Sequence, residues 1–321
     1  MADRVASTPV LERELGAASW RALGTHVDVR TTPACLERAV ALAVEALDEV
    51  DAACSRFRDD SDLSLANRRA GHPVPVSPVL VGALRVALEA AEVTDGLVDP
   101  TLGAVLAAAG YDRTFALVPS DDPAPAALPA PQGAWQDVRV TAQTVTVPRG
   151  AALDLGATGK AFAADLVALA IADACRTSVL VSVGGDVRVA SPDGDGPDYP
   201  VVVGHSVADL AAGGDRARVR LREGGIATSS TSARRWRRGG RQWHHVVDPR
   251  TGSPATGPLR TVTALGHTAA AANAATTAAI VLGDAAWAWL VDHDVAARLV
   301  DVEGRVTRTP AWTASDLEER P

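Results

Sequence analysis

Lys160 is the residue whose type and position most directly suggest chemistry. Of the 31 Lys and Arg residues, only this one is a lysine. It follows the segment from Asp154 to Gly159, a turn containing an acid and two glycines that leads into an Ala-rich helical pattern. Such a turn directs backbone N–H groups and the positive end of a helix dipole towards an anion, and an ammonium adds a mobile charge suited to phosphate. The turn therefore predicts a phosphate site; the alternative is a surface lysine spared by a GC-rich codon bias.

A pair of histidines precedes a second turn. His244 and His245 are followed by Val-Val-Asp-Pro-Arg-Thr-Gly up to Gly252, so the pair ends a strand pattern at a Pro/Gly turn where a loop can meet a ligand. Imidazole titrates near neutral pH, which makes His245 a candidate general base. A purely structural or surface role for the two rings is the alternative.

Two polar side chains interrupt a third segment, an Ala-rich helix predicted from Thr268 to Leu282. Asn273 and Thr277 are four residues apart and therefore lie on one helical face. Hard oxygen donors of this kind suit Mg²⁺, which takes few protein ligands and completes its shell with water and substrate phosphates. Hydrogen bonds to neighbouring groups are the alternative role for both side chains.

Other segments carry weaker signals. Asp99 and Thr101 flank a turn that opens a helix, and a polar loop from Ser55 contains Ser64 and Asn67. Gly185 lies in a Val-Gly-Gly-Asp bend after an apolar strand, where backbone could approach a ligand. Ordinary N-caps, loops and glycine bends explain these segments equally well.

The segments that must position these residues show either helix or strand periodicity. Helices are predicted over 35–57, 77–93, 102–109, 160–175, 268–282 and 285–293, with Ser77 as an N-cap before Pro78. Strands are predicted over 20–30, 138–147, 179–190, 201–203, 217–221, 243–247, 259–265 and 296–302. Because strict strand-helix-strand alternation is missing, we expect an α/β (α+β) fold with mixed or antiparallel sheets flanked by helices.

Two segments have local signatures of their own. Arg234 to His245 is centred on Gly-Gly, which predicts a tight hairpin with Trp236 opposite Trp243 and arginines at a solvated tip. Residues from about 119 to 133 are rich in Pro and Ala and predict an insertion within a single domain spanning 1–321.

Composition limits the functional class. The chain has 321 residues, is 47% hydrophobic and carries a formal net charge of −8, which argues against a nucleic-acid binder. Its three cysteines have no paired spacing, so no disulfide and no zinc site are expected. The N-terminus has no apolar signal region, and no uninterrupted apolar run is long enough for a membrane span. We therefore expect a cytoplasmic protein without a membrane span.

Taken in order, these motifs resemble those of the ApbE family of flavin transferases. The resemblance includes Leu23-Gly24-Thr25, the Gly184-Gly185-Asp186 bend, Ala227-Thr228-Ser229, and the segments 55–67, 95–101, 154–165, 245–252 and 273–283. It implies a T-fold-like architecture and an enzyme that uses FAD and Mg²⁺ to attach FMN through a phosphoester to a threonine of an acceptor flavoprotein, releasing AMP. Some family members hydrolyse FAD instead.

The resemblance also implies roles for individual residues. Lys160 and His245 would be catalytic, and the metal would be held by the Gly159 carbonyl, Asn273 and Thr277. The residues implied in FAD binding are Ser64, Asn67, Asp99, Thr101, Asp154, Gly156, Lys160, Gly185, Thr228, Ser229 and His245.

The chain departs from the family pattern at two of these motifs. Asn273 stands where relatives have a metal-binding aspartate, which predicts weaker Mg²⁺ binding, and Ser230 replaces the usual glycine after Thr228-Ser229. The sequence predicts an FAD:protein FMN transferase, with an FAD-binding protein lacking transferase activity, or an FAD pyrophosphatase, as alternatives.

Overall fold

The computed structural model describes residues 15–119, 121–122, 133–194, 196–204, 216–312 and 317–320. Most of the insertion predicted near 119–133 lies outside the described residues. The assignment of 1–321 to one domain stays a prediction.

An antiparallel sheet of eight strands forms the centre of the fold. With strands numbered along the chain and given in spatial order, these are β1 (Gly16–Ala22), β2 (Thr25–Thr31), β7 (Val179–Val183), β8 (Asp186–Ala190), β11 (Gly224–Ser230), β16 (Leu259–Gly266), β17 (Ala297–Asp301) and β18 (Val306–Arg308). Every neighbouring pair is antiparallel. The predicted fold of mixed or antiparallel sheets flanked by helices is confirmed, although no strand was predicted at β11.

Three of the predicted strands are hairpins: 138–147 contains the paired strands Arg139–Val140 and Thr144–Thr146, and the other two have two-residue turns. The segment 20–30 turns at Leu23 and Gly24, and 179–190 turns at Gly184 and Gly185, all four with positive φ. A Cβ on Gly184 would lie 2.7 Å from the Thr25 hydroxyl, so glycine is required there. The single-strand predictions were wrong because a two-residue turn leaves the alternation of apolar side chains uninterrupted.

Helices pack on this sheet and around its edges. They are α1 (Leu36–Cys54), α2 (Asp62–Arg68), α3 (Pro78–Val93), α4 (Gly103–Ala108), α5 (Gly159–Cys175), α6 (Ala269–Leu282) and α7 (Ala286–Asp292). α1 and α5 share a core cluster with β2 and β7, whereas α6 packs on β11 and β16. The predicted N-cap is confirmed, since the Ser77 hydroxyl accepts from the Leu80 N–H at 3.3 Å.

The stretch that contains α6 is strongly apolar. Within the described part of the chain, Ala269–Asp292 is long and apolar enough to cross a membrane by length and composition alone, and 56% of an apolar 18-residue window in it is buried inside the fold. A core helix meets the same criteria. α6 packs on β11 and β16 and carries the buried Asn273 and the half-buried Thr277.

Smaller sheets surround the central one. β9 (Tyr199–Gly204), β10 (Arg216–Leu221) and β19 (Leu317–Arg320) form one; β3 (Val74–Pro75), β5 (Arg139–Val140) and β6 (Thr144–Thr146) form another. β12 (Arg235–Arg238) and β13 (Arg241–His244) form the predicted hairpin, joined by β4 (Asp121–Asp122), and β14 (Val247–Asp248) pairs with β15 (Ser253–Pro254). Trp236 pairs with Trp243, their rings 6.3 Å apart and stacked, which confirms the hairpin register.

A disulfide joins Cys35, just before α1, to Cys175 at the end of α5. The prediction of no disulfide was wrong: the two residues are 140 positions apart, and only the packing of α1 against α5 brings their Cα atoms to 6.3 Å. Disulfides persist in oxidising compartments, so the cysteines give no support to the expected cytoplasmic location. A cytoplasmic location stays a prediction.

Removing the disulfide should destabilise the fold. The double substitution Cys35→Ser/Cys175→Ser should lower the free energy of unfolding by about 2–4 kcal/mol, because the bond restricts a long loop of the unfolded chain. Urea denaturation measures the change, and reduced wild-type protein should match the variant. Cys54→Ser, at the free and half-buried cysteine, is the control. Equal midpoints for the double variant and oxidised wild type would contradict a stabilising bond.

Candidate active site

Asp186 bonds to Lys160 and to Asn273, and so connects the lysine to the α6 face that carries the predicted metal ligands. The Lys160 ammonium donates to Asp186 Oδ2 at 2.8 Å, and the Asn273 amide nitrogen donates to Asp186 Oδ1 at 3.1 Å. Asp186 is the first residue of β8 and is 2% exposed, while the Lys160 side chain remains 23% exposed. Both carboxylate oxygens are therefore occupied, and the partly exposed ammonium compensates a buried negative charge.

Hydroxyl groups extend this contact from α6 to β11. Thr277 Oγ1 lies 3.4 Å from Asn273 Oδ1, and the Ser229 hydroxyl lies 3.2 Å from Thr277 Oγ1 and 2.9 Å from Thr276 Oγ1. The predicted metal ligands Asn273 and Thr277 are thus in contact. Thr228 is not with them: adjacent strand residues face opposite ways, and its hydroxyl bonds to Thr263 at 2.9 Å instead.

His245 lies just beyond β13 and carries a strongly shifted pKa. Burial, then the nearby charges of Arg234 and Lys160 and finally His244, lower the pKa of His245 to about 3. Its Nδ1 is buried and has no hydrogen-bond partner among the described residues. The ring is therefore neutral at pH 7 and close enough to Lys160 to sense its charge.

His244 occupies a different environment. Its ring is buried, and Nε2 lies 3.0 Å from the Ala255 carbonyl oxygen. Burial lowers its pKa, and this backbone contact partly opposes the shift. His244 therefore has a structural contact, and the role of His245 as the base stays a prediction.

Arg234 is a site residue that the sequence did not indicate. It immediately precedes β12, whose register pairs Arg235 with His244, so Arg234 stands across from His245 at the open end of the hairpin. Its φ of 49° is unusual for a residue with a side chain. No hydrogen bond or ion pair joins its half-buried guanidinium to another described residue. The sequence showed it only as one of several hairpin arginines.

The turn before α5 is held in shape by Asp154. Its Oδ1 accepts from the Gly156 N–H at 2.6 Å, and a Cβ on Gly156 would lie 2.7 Å from that oxygen. Its Oδ2 lies 2.6 Å from Arg56 Nε without hydrogen-bond alignment, so this contact is an ion pair. The Arg56 guanidinium lies over the rings of both Phe57 and Tyr111, at 4.2 and 4.4 Å from the ring centroids.

Asn67 supports the same turn from α2. Its amide donates to the Leu153 carbonyl at 3.0 Å and accepts from the Leu153 N–H at 2.7 Å. The polar side of Asn67 is therefore used by the backbone. Ser64 lies in the first turn of the same helix, where its N–H donates to the hydroxyl of the N-cap residue Ser61 at 3.1 Å.

Asp99 lines a narrow cleft beside this turn and holds Thr101 next to it. Asp99 Oδ1 accepts from the backbone N–H and the hydroxyl of Thr101 at 2.7 and 2.6 Å. Burial raises the pKa of Asp99, partly opposed by these two bonds, and its Oδ2 has no partner in the described part of the chain. Asp99 and Asp154 line the cleft together with Thr158, just before α5.

The two predicted glycine positions differ in their surroundings. Gly159 begins α5 and donates its N–H to the Leu155 carbonyl at 2.6 Å. Gly185 has a φ of 95°, and the space where its Cβ would stand is open to 4 Å. Backbone at Gly185 is therefore accessible beside Asp186, while the role of the Gly159 carbonyl as a metal ligand stays a prediction.

Asp165 sets the relation between the two helices that carry the site. This α5 residue accepts from the backbone N–H groups of Ala269 and Ala270 at 2.8 and 3.0 Å and so caps α6. A carboxylate is favourable at a helix N-terminus. Lys160 and Asn273 thus belong to two helices joined by a buried cap, which sequence spacing could not indicate.

Comparison of the sequence with known proteins identifies the family of this chain. A match to the ApbE family covers residues 23–299. The chain belongs to the ApbE family. The FAD:protein FMN transferase of Treponema pallidum is 31% identical over 258 residues, covering 74% of this chain and 69% of that relative. The enzyme of the same name from Escherichia coli K12 is 28% identical over 288 residues, covering 85% and 78%.

Solved ApbE structures share the fold. The ApbE protein of Thermotoga maritima has a TM-score of 0.77 at 23% identity, covering 95% of this chain and 100% of that one. The flavinyl transferase ApbE of Pseudomonas stutzeri has a TM-score of 0.75 at 22% identity, covering 93% and 96%. The predicted ApbE-like fold, with antiparallel sheets flanked by helices, is confirmed.

Replacing Lys160 should destabilise this ApbE protein because Asp186 would be left buried without its counter-charge. Lys160→Met should lower the free energy of unfolding by about 3 kcal/mol. Lys160→Arg should recover part of the loss, since it keeps the charge but not the compact ammonium. Urea denaturation at pH 7 measures both changes. Wild-type stability of Lys160→Met would contradict the proposed charge compensation.

Removing the charge of Arg234 should raise the pKa of His245, because a neighbouring cation disfavours protonation of the ring. Arg234→Gln provides the change, and NMR titration of labelled histidine measures it. Arg241→Gln is the matched control, since it removes one positive charge from the exposed hairpin end. An unshifted His245 pKa in Arg234→Gln would contradict an effect of the Arg234 charge on this ring.

Proposed function

We propose that this protein transfers FMN from FAD to a threonine hydroxyl of an acceptor flavoprotein and releases AMP. Membership of the ApbE family and the shared name of its relatives support this activity. The observation that carries the proposal is that the neutral imidazole of His245 lies within reach of the charges of Arg234 and Lys160, while Lys160 shares Asp186 with Asn273, the neighbour of Thr277.

The diphosphate of FAD would bind at the start of α5. The turn from Gly156 to Lys160 lies at the positive end of the α5 dipole, which favours an anion, while the N–H groups of Gly156 and Gly159 are already used by Asp154 and Leu155. Asp154 and Asn67 hold the preceding backbone and so preorganise this turn. Lys160 is partly exposed and can contact a phosphate oxygen while Asp186 fixes its position.

The reaction forms one bond to phosphorus and breaks another. The threonine Oγ attacks the phosphorus of the FMN half, and the bond from that phosphorus to the bridging oxygen breaks, so that AMP leaves with the electron pair. A ring nitrogen of His245 accepts the hydroxyl proton, a role that contributes about 10²–10⁴-fold to such reactions. Lys160 and Arg234 offset the charge on the phosphoryl oxygens.

The low pKa of His245 fits this role once substrate is present. The ring is neutral before substrate binds, so it does not first have to lose a proton. A diphosphate beside Lys160 and Arg234 would offset the two cations that depress its pKa. The pKa would then rise towards neutrality, where a base is most effective.

The residues also fit Mg²⁺, the ion implied by the family. Asn273 Oδ1 and Thr277 Oγ1 are in contact, and both are hard oxygen donors. Across the described residues, no group of three His, Cys, Asp or Glu side chains could form an all-protein metal cage. A site of few protein ligands completed by water and substrate phosphates suits Mg²⁺, which would act as a Lewis acid on the phosphate.

Mass spectrometry of products separates this function from its alternatives. Protein, FAD and Mg²⁺ are mixed with a flavoprotein acceptor that contains a candidate threonine. An acceptor that gains the mass of FMN, together with free AMP, supports the transferase. Free FMN and AMP without an adduct indicate an FAD pyrophosphatase, and intact bound FAD indicates a binding protein; either result overturns the proposal.

His245→Gln should slow the transfer step about 10²–10⁴-fold, because the base acts only when the hydroxyl proton leaves. The affinity for FAD should stay within about threefold of wild type. Single-turnover FMN transfer and FAD titration measure the two quantities. His244→Gln should affect stability more than the transfer rate, because His244 bonds to the Ala255 carbonyl. A larger rate loss in His244→Gln would reverse the two roles.

A further inference from the structure

The contacts of Asp186 explain how an amide can stand at the family's metal-binding position. An ionised carboxylate only accepts hydrogen bonds, so the Asn273 side chain must turn its nitrogen towards Asp186 Oδ1, 3.1 Å away. The carbonyl oxygen of Asn273 is thereby turned towards Thr277 Oγ1, 3.4 Å away. Asp186 thus determines which end of the amide faces the oxygen cluster.

Asp186 also supplies negative charge next to this oxygen. Donation of an N–H group to a carboxylate polarises the amide and increases the electron density on its oxygen. Groups that bond to a metal ligand from behind orient it and raise its basicity in this way. A neutral amide backed by a buried carboxylate therefore resembles an anionic ligand more closely than an isolated amide does.

We propose that Asp186 is the positioning residue that makes Asn273 a metal ligand in this chain. The inference deepens the proposed Mg²⁺-dependent function and rests on it. Asp186 orients the amide and carries the negative charge that the family pattern places at position 273. Asn273 is then one half of an Asn–Asp pair rather than a lost ligand.

The pair also predicts that an aspartate at position 273 alone would not restore the family arrangement. In Asn273→Asp, two carboxylates would meet at about the present 3.1 Å contact, and repulsion would replace a hydrogen bond. Exchanging the two residues, Asp186→Asn together with Asn273→Asp, preserves the hydrogen bond and the total charge. The exchanged protein would carry its carboxylate on α6.

Metal binding measured without turnover tests the inference. Mn²⁺ is the probe because it suits the same oxygen ligands and its free concentration is read by EPR in the presence of FAD. Asp186→Asn should weaken Mn²⁺ binding about 10–100-fold, the range for loss of a supporting group behind a ligand. The double exchange should return the affinity to within a few-fold of wild type, and Asn273→Asp alone should bind more weakly than the double exchange.

Asp28→Asn is the control for net charge. Val27 and Val29 face the helices, so Asp28 between them lies on the opposite face of the sheet from Asp186. The Mn²⁺ affinity of Asp28→Asn should equal that of wild type. Near-UV circular dichroism checks that each variant is folded. If Asp186→Asn does not fold, Asn273→Asp decides the question, since tighter binding than wild type would overturn the inference.

Two results for the Asp186 variants would overturn the inference. Wild-type affinity in Asp186→Asn, or no recovery in the double exchange, overturns the role of Asp186. FMN transfer by wild-type protein is measured in parallel, so these results leave the proposed function intact when transfer occurs. Absence of both transfer and Mn²⁺ binding in wild type overturns the proposed function together with the inference.

Discussion

A single buried carboxylate connects the parts of this site. Asp186 accepts from Lys160 on α5 and from Asn273 on α6 while it begins β8, so one side chain relates two helices to the central sheet. A buried negative charge is costly unless it is paired and hydrogen-bonded, and both conditions are met here. The position of the ammonium and the orientation of the amide are consequences of satisfying this charge. Asp165, the cap between α5 and α6, maintains the same spacing from a second point.

Next to the neutralised pair of Lys160 and Asp186, the site also contains the positive charge of Arg234. Lys160 and Arg234 both act on His245, whose ring is kept neutral mainly by burial. Such an arrangement is favourable for a diphosphate, which would offset the two cations and so raise the pKa of the ring. Under the proposed function, substrate binding and the basicity of His245 would be coupled through the same charges. The net negative charge of the whole chain does not predict this local positive charge.

Several candidate residues serve the shape of the site rather than its chemistry. Asn67 and Asp154 use their polar atoms on backbone groups of the turn before α5, and His244 bonds to the Ala255 carbonyl. These contacts hold the backbone that presents Lys160 and His245. A motif read in sequence contains both kinds of residue, because the geometry of a binding turn depends on the groups that shape it as much as on those that contact a ligand.

The sequence by itself determined the family, the antiparallel α/β architecture, the N-cap at Ser77 and the tryptophan register of the hairpin. These features depend on local periodicity, capping and turn chemistry, which lie within a few neighbouring residues. Only the tertiary structure decided the partners of Asp186, the place of Arg234 opposite His245, the separation of Thr228 from Ser229 by strand β11, and the Cys35–Cys175 bond. Each joins or divides residues through the packing of distant elements, and the 140 residues between the two cysteines carry no local signal of their contact.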